Sequence, residues 1–333
     1  MNTGEPDETL QIEEAVRLPH SAKKMVLFFL KYVVGISLIV WMVASGKLDL
    51  AVLAALPAWL LVQGLALIAL QTLLGAFRVR YILAHQGIHT GLWQCFLFNC
   101  SGVLYSAFLP GGISGDAVRA YLFMKAVPNH RLAILGAMVL DRLLGLTSMV
   151  ALGLCAAFYM AINLPVIRPY LLAFSGIFLA LVGGLALLHF IGARHKHHDV
   201  PFADLPGLWA KLKKLVADLR IHHYPVRVLA AVVMQSVFIH VMAVAVIYLC
   251  SLHSHAGLGF LEVFVATPIG LLVNAIPLSP GGLGIGENAF EFLYRVIGGR
   301  NGATSFLIAR IFLYSPALVG AFYVLKRMVS KKR

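Results

Sequence analysis

Six ionisable residues sit where an otherwise apolar chain would carry none. Asp141-Arg142 lies inside the apolar run 132–162, Arg310 inside the run 303–325, and Glu262 near the start of the run 260–278. Asp116 and Glu287 each follow a Pro-Gly-Gly sequence. A charge at the centre of a bilayer costs about 3 kcal/mol on insertion scales, so an intramembrane ionisable group is a functional candidate by default. Arginine binds phosphate through two parallel N–H donors and stays charged at any usable pH. Arg142 and Arg310 therefore suit one lipid phosphate better than a cation. The carboxylates would neutralise the arginines of an empty site or take up protons that drive transport.

The elements that must position these groups are membrane spans. Hydrophobic residues make up 60% of the 333 and charged residues 12%, against about 45–50% and 25% in soluble domains. Mean hydropathy is +0.86. That balance excludes a soluble enzyme, a disordered chain and a disulfide-stapled secreted domain. The fold class it implies is an all-α polytopic membrane protein. A hydrocarbon core of about 30 Å needs about 20 apolar residues in a helix. Six full crossings follow, over 25–44, 51–76, 132–162, 171–191, 228–252 and 303–325.

Two further apolar segments, 93–109 and 260–278, run into breaks. Pro110, Gly111 and Gly112 end the first, and Pro280, Gly281 and Gly282 the second. Proline removes a backbone donor and glycine frees the backbone, so neither segment continues as one helix. Irregular backbone at membrane depth is tolerated inside protein or beside water. Both segments therefore read as re-entrant or discontinuous helices.

The breaks also form a repeat. Leu109-Pro110-Gly111-Gly112 matches Ser279-Pro280-Gly281-Gly282, an acid follows each, and an arginine lies 32 residues after Pro110 and 30 after Pro280. Lys+Arg number 27 and Asp+Glu 14, a net charge of +13, and the cations cluster beside the spans. Placing Lys23-Lys24, Arg78, Arg80, the loop 192–227 and the tail on the cytoplasmic side satisfies the positive-inside rule. That arrangement requires two re-entrants of opposite sense, which makes the repeat an inverted one with halves of about 25–162 and 170–327. Residues 1–24 form a polar cytoplasmic segment, 25–327 the membrane domain and 328–333 a basic tail. In such repeats the substrate site lies near the midplane, at paired broken helices.

Other signals carry less. The basic loops explain the high charge through anionic lipid headgroups, with no nucleic acid needed. Arg78, Arg80 and Arg119 read as topology determinants or headgroup contacts at the cytoplasmic surface. Residues 206–221 carry apolar positions at helical spacing with lysines between them, the pattern of a helix lying on the inner leaflet. No histidine pair has the spacing of a zinc protease, so no metal is expected. His240, alone within a span, reads as packed or hydrogen-bonded. The four cysteines read as small buried hydrophobes. Gly112-Ile113-Ser114-Gly115 fits the Gly-x-Ser-Gly pattern of rhomboid proteases. However, neither His189 nor His240 has the context of their second catalytic residue. No P-loop is present, so ATP hydrolysis is not expected to drive the protein.

The stretch from Leu109 to Arg119, the Leu140–Leu146 segment and Ser279 to Glu287 together resemble the lysylphosphatidylglycerol synthase transmembrane, or flippase-like, family. The resemblance covers about residues 25–327. It implies an inner-membrane protein whose broken helices surround a lipid-headgroup cavity, lined by Asp116, Arg119, Asp141, Arg142, Glu287 and Arg310. The family includes the membrane half of the multiple peptide resistance factor, which moves aminoacylated phosphatidylglycerol between leaflets. The synthase itself adds a soluble aminoacyltransferase domain. This chain ends eight residues after position 325, and its largest loop has about 35 residues. It is therefore expected not to synthesise lysylphosphatidylglycerol, and not to be an enzyme. The expected substrate is an aminoacyl-phospholipid or a polyprenyl-phosphate-linked lipid, and no cofactor is implied. The competing expectation is a non-catalytic partner of an envelope glycosyltransferase.

Overall fold

The computed structural model describes residues 22–108, 114–162, 165, 168–195, 224–276 and 278–330. Among them every regular element is helical, and apart from one 3-10 turn at Pro128–His130 all are α-helices. In chain order these are α1 (Ala22–Ala44), a short α2 (Leu50–Ala54), α3 (Ala58–Ala84), α4 (Leu92–Phe108), α5 (Ser114–Ala126), α6 (Arg131–Ala161), α7 (Arg168–His195), α8 (Val226–His253), α9 (Phe260–Asn274), α10 (Ile285–Val296), α11 (Gly302–Tyr314) and α12 (Pro316–Ser330). Among the described residues, five stretches are long and apolar enough to cross a membrane: Ala58–Ala84, Pro128–Tyr159, Leu171–Leu188, Val226–His253 and Gly302–Arg327. Tyr32–Ala44 and Phe260–Asn274 are shorter apolar helices.

The polarity of the molecule is that of a protein solvated by lipid. Large apolar side chains such as Val62, Leu172, Leu179 and Phe322 are exposed, while Asp141, Glu287 and Arg310 are buried. A charge inside a lipid-facing bundle must find partners within the protein, so the buried ions mark where the helices converge.

Among the described residues, two large apolar clusters and two smaller ones make the interior, and the large ones join the helices of the site. One joins Val79 and Ile82 of α3, Phe98 of α4, Phe123 of α5, Met138 of α6 and Val232 of α8. The other joins Leu60 and Ile68 of α3, Val246 of α8, Val263 of α9, Phe290 of α10 and Phe312 of α11. Helices α3 and α8 contribute to both clusters and pack on each other, so they form the spine between the two broken segments.

Each broken segment is a helical hairpin. Arms α4 and α5 pack together, as do α9 and α10. A Cβ at Gly115 of α5 would lie 2.2 Å from the Gly102 carbonyl oxygen of α4, so the arms approach as closely as only glycine permits. In the second hairpin the chain reverses between α9 and α10 through Gly281 (φ +57°), Gly282 (φ +72°) and Gly284 (φ +79°). These backbone angles are in the left-handed region that side chains oppose. Pro280, Gly281 and Gly282 therefore do interrupt the helix. Pro110, Gly111 and Gly112 lie outside the described residues, as does most of the loop 192–227, including 206–221.

Two boundaries differ from the sequence reading, each because of a proline. The span read over 51–76 divides into α2 and a helix running on to Ala84, because Pro57, with no N–H, stands at the N-cap of α3. The span read over 303–325 divides at Ser315-Pro316 into α11, which packs on α8 and α10, and α12, which packs chiefly on α4. One sequence segment thus serves both hairpins.

Candidate functional site

Asp141 points from the middle of α6 into the bundle, with its side chain only 2% exposed. Its Oδ1 accepts from Arg78 Nε of α3 at 2.7 Å, and its Oδ2 from Arg119 Nη2 of α5 at 2.8 Å. Arg78 Nη1 also donates to Ser236 Oγ of α8 at 2.9 Å. One carboxylate therefore ties α3, α5 and α6 together, and Arg78 extends the tie to α8. Asp141 does not pair with its neighbour Arg142. Consecutive helical residues point about 100° apart, so Arg142 turns instead to Asp116 in the first turn of α5, at 3.3 Å. Asp116 also lies 3.3 Å from Arg119.

Glu287 and Arg310 form a second, denser centre. Arg310 Nε donates to Glu287 Oε1 at 2.6 Å, Nη1 to the Gly281 carbonyl at 2.5 Å, and Nη2 to Asn274 Oδ1 at 3.0 Å and the Gly282 carbonyl at 3.2 Å. Glu287 Oε2 accepts the Gly284 backbone N–H at 2.7 Å. Tyr314 O–H donates to the Gly281 carbonyl at 3.0 Å. The glycine turn exposes carbonyls that no helix satisfies, and an unpaired buried carbonyl is costly. The planar guanidinium answers that need, and Glu287 supplies its counter-charge.

A cavity of about 340 Å³ opens between these centres. One wall carries Arg78, Asp116, Arg119, Asp141 and Arg142. The facing wall carries Asn274, Ser279, Gly281, Gly282 and Tyr314. Four of the six charged candidates thus meet at one cavity: Asp116, Arg119, Asp141 and Arg142. Glu287 and Arg310 do not line it; they lie behind the glycine turn, whose outer surface does. Pro280 belongs to the same turn. Glu262, in the first turn of α9, is also away from the cavity.

Sequence reasoning undervalued Arg78, because a cation near the end of an apolar run is usually an anchor for topology. It also missed Asn274, Ser279 and Tyr314, which become a wall only through the fold. His240 also lines the cavity and donates from Nε2 to the Gly145 carbonyl at 2.9 Å, in keeping with its reading as a hydrogen-bonded residue. Among the described residues, no group of His, Cys, Asp and Glu is arranged to hold a metal ion.

Helical hairpins, a lipid-facing apolar surface and an ion-lined internal cavity define a multi-pass α-helical membrane protein with a polar site among its broken helices. The family described as lysylphosphatidylglycerol synthase TM region matches residues 28–320, and the chain belongs to that family. No curated protein matches the chain.

Proposed function

We propose that the protein moves a phosphate-containing lipid between the leaflets of a bacterial inner membrane, with both termini in the cytoplasm. The observation that carries this reading is the cavity of about 340 Å³ with an arginine-rich wall facing a glycine-turn wall. Its volume lies at the lower end of the about 300–1,000 Å³ typical of small-molecule sites, which suits a headgroup with its acyl chains left in the bilayer. Arg142 is the cation best placed to take the phosphate. Its side chain is 42% exposed and its contact with Asp116 is a loose 3.3 Å. Arg78 and Arg119 hold Asp141 in place behind it.

The two halves share an order that supports an inverted repeat. Each has a hairpin, an acid in the first turn of its second arm, and a partner arginine in a following helix (Asp116 with Arg142, Glu287 with Arg310). In transporters with such repeats, one half moves against the other around a fixed site. The headgroup would cross while held by Arg142, and Asp116 would reoccupy that arginine when the lipid leaves. No bond is made or broken, so the lipid leaves with the mass it arrived with.

The test is headgroup translocation in proteoliposomes, with wild type beside Arg142→Gln and lipid masses checked before and after. Flipping that Arg142→Gln abolishes, with masses unchanged, is the expected result. No flipping of any lipid by folded protein would overturn the transport reading and favour a partner of an envelope glycosyltransferase. A changed lipid mass would make the protein an enzyme.

A further inference from the structure

The charges around the cavity constrain which headgroup it takes, given the transport reading above. Three arginines and two aspartates line it, a formal charge of +1 over the described residues. Arg78 and Arg119 already share Asp141 at 2.7 and 2.8 Å, so a single cationic group, Arg142, is left for a ligand. One negative charge brings the site to neutrality.

The facing wall has no charge to offer. Ser279 O–H donates to the Leu283 carbonyl at 2.8 Å and Tyr314 O–H to the Gly281 carbonyl, so both oxygens keep lone pairs for a ligand's donors. Asn274 Oδ1 is taken by Arg310, which leaves its amide as the donor on that wall. Acceptor oxygens beside an amide donor complement alcohols. Glu287, the nearest carboxylate behind this wall, has both oxygens engaged by Arg310 and the Gly284 N–H. An ammonium placed here finds no carboxylate on its own wall and faces a wall that is already net positive, where Asp116, once a phosphate takes Arg142, still lies 3.3 Å from Arg119. A lysyl head carries two such groups. A terminal phosphate monoester errs the other way, with a charge of about −1.5 to −2.

We infer that the cavity selects a lipid with one phosphodiester charge and a hydroxylated head free of amines, and discriminates against aminoacylated lipids. Phosphatidylglycerol and a polyprenyl-phosphoryl sugar share this chemistry, and the cavity volume allows one small head but no oligosaccharide.

The test is native mass spectrometry of the full chain in detergent. The probes are equimolar phosphatidylglycerol, lysylphosphatidylglycerol, polyprenyl monophosphate and a polyprenyl-phosphoryl monosaccharide. At least one of the two hydroxylated phosphodiesters should be retained about tenfold over the lysyl lipid, and which one it is identifies the source. Asp116→Asn adds a positive charge and should shift preference toward the monophosphate. Arg142→Gln neutralises the site and should erase the preference for anions. Equal or stronger retention of the lysyl lipid, no selective retention, or an order that both variants leave unchanged would overturn the inference. Flipping assays on the same lipids separate the two readings. Selective binding without flipping defeats transport alone, whereas flipping of the lysyl lipid at a comparable rate defeats this inference alone.

Discussion

Arg310 meets Glu287 through two contacts, Nε to Oε1 at 2.6 Å and Nη2 to Oε2 at 3.1 Å, with side chains 10% and 0% exposed, and its other donor contacts fall on Asn274 and the glycine turn. The pair in the other half, Arg142 and Asp116, meets at 3.3 Å with side chains 42% and 27% exposed. Two ion pairs at matching places in the chain thus divide the labour. One braces a turn and the other faces the cavity.

Arg310→Met should therefore be a stability variant. It strands a buried carboxylate and the carbonyls of Gly281 and Gly282, and breaking a buried pair from one side costs about 3–5 kcal/mol. The expected outcome is a markedly lower melting temperature in detergent. Part of it should return in Arg310→Met/Glu287→Gln, where no charge is left unpaired. A wild-type melting curve with lost transport would instead make Arg310 a ligand contact.

Arg142→Gln should behave oppositely. A partly exposed pair at 3.3 Å contributes about 0–1 kcal/mol, so melting should move by no more than about 3 °C. Lipid translocation should fall at least about tenfold, because a bidentate phosphate ligand is lost. A variant that melts like wild type and flips lipid at the wild-type rate would remove Arg142 from the site.

The contrast between these arginines explains how far the sequence could be read. Membrane class, breaks and the importance of Asp141, Arg142, Glu287 and Arg310 follow from charges placed in apolar runs, because lipid penalises each one. Sequence position does not reveal what each charge satisfies. Arg142 and Arg310 occupy similar contexts, and only the fold shows that three left-handed glycines put carbonyls beside Arg310. Arg78 was obscured for a related reason. Its position near the end of α3 looks like an anchor, and its partners Asp141 and Ser236 are 63 and 158 residues away.

The glycine turn gives a prediction about backbone alone. At Gly282, φ is +72° and an added Cβ would lie 2.3 Å from both the backbone oxygen and Oδ1 of Asn274. Gly282→Ala must distort the turn that faces the cavity, with an expected cost of about 1–3 kcal/mol. Gly183→Ala on α7 meets nothing within 4 Å and should be neutral or slightly stabilising, since alanine favours a helix by about 1 kcal/mol over glycine. Thermal melting of the two variants side by side checks both. Equal melting temperatures would mean that the turn relaxes freely.

Asp141 is the residue whose loss should be least tolerated. Asp141→Asn leaves Arg78 and Arg119 facing one another across a neutral amide, with each arginine side chain only 12% exposed. Two like charges in a site shielded from water repel strongly, and the tie between α3, α5 and α6 weakens with them. A loss of about 3–5 kcal/mol is expected, together with loss of transport. Arg78→Gln should cost less, because Asp141 keeps Arg119 at 2.8 Å and a glutamine amide can still donate to the carboxylate. Adding Arg78→Gln to Asp141→Asn should recover part of the stability, since one of the two opposed cations is gone. Melting curves of the three variants form a double-mutant cycle, and a coupling energy near zero would show that the two side chains do not act together.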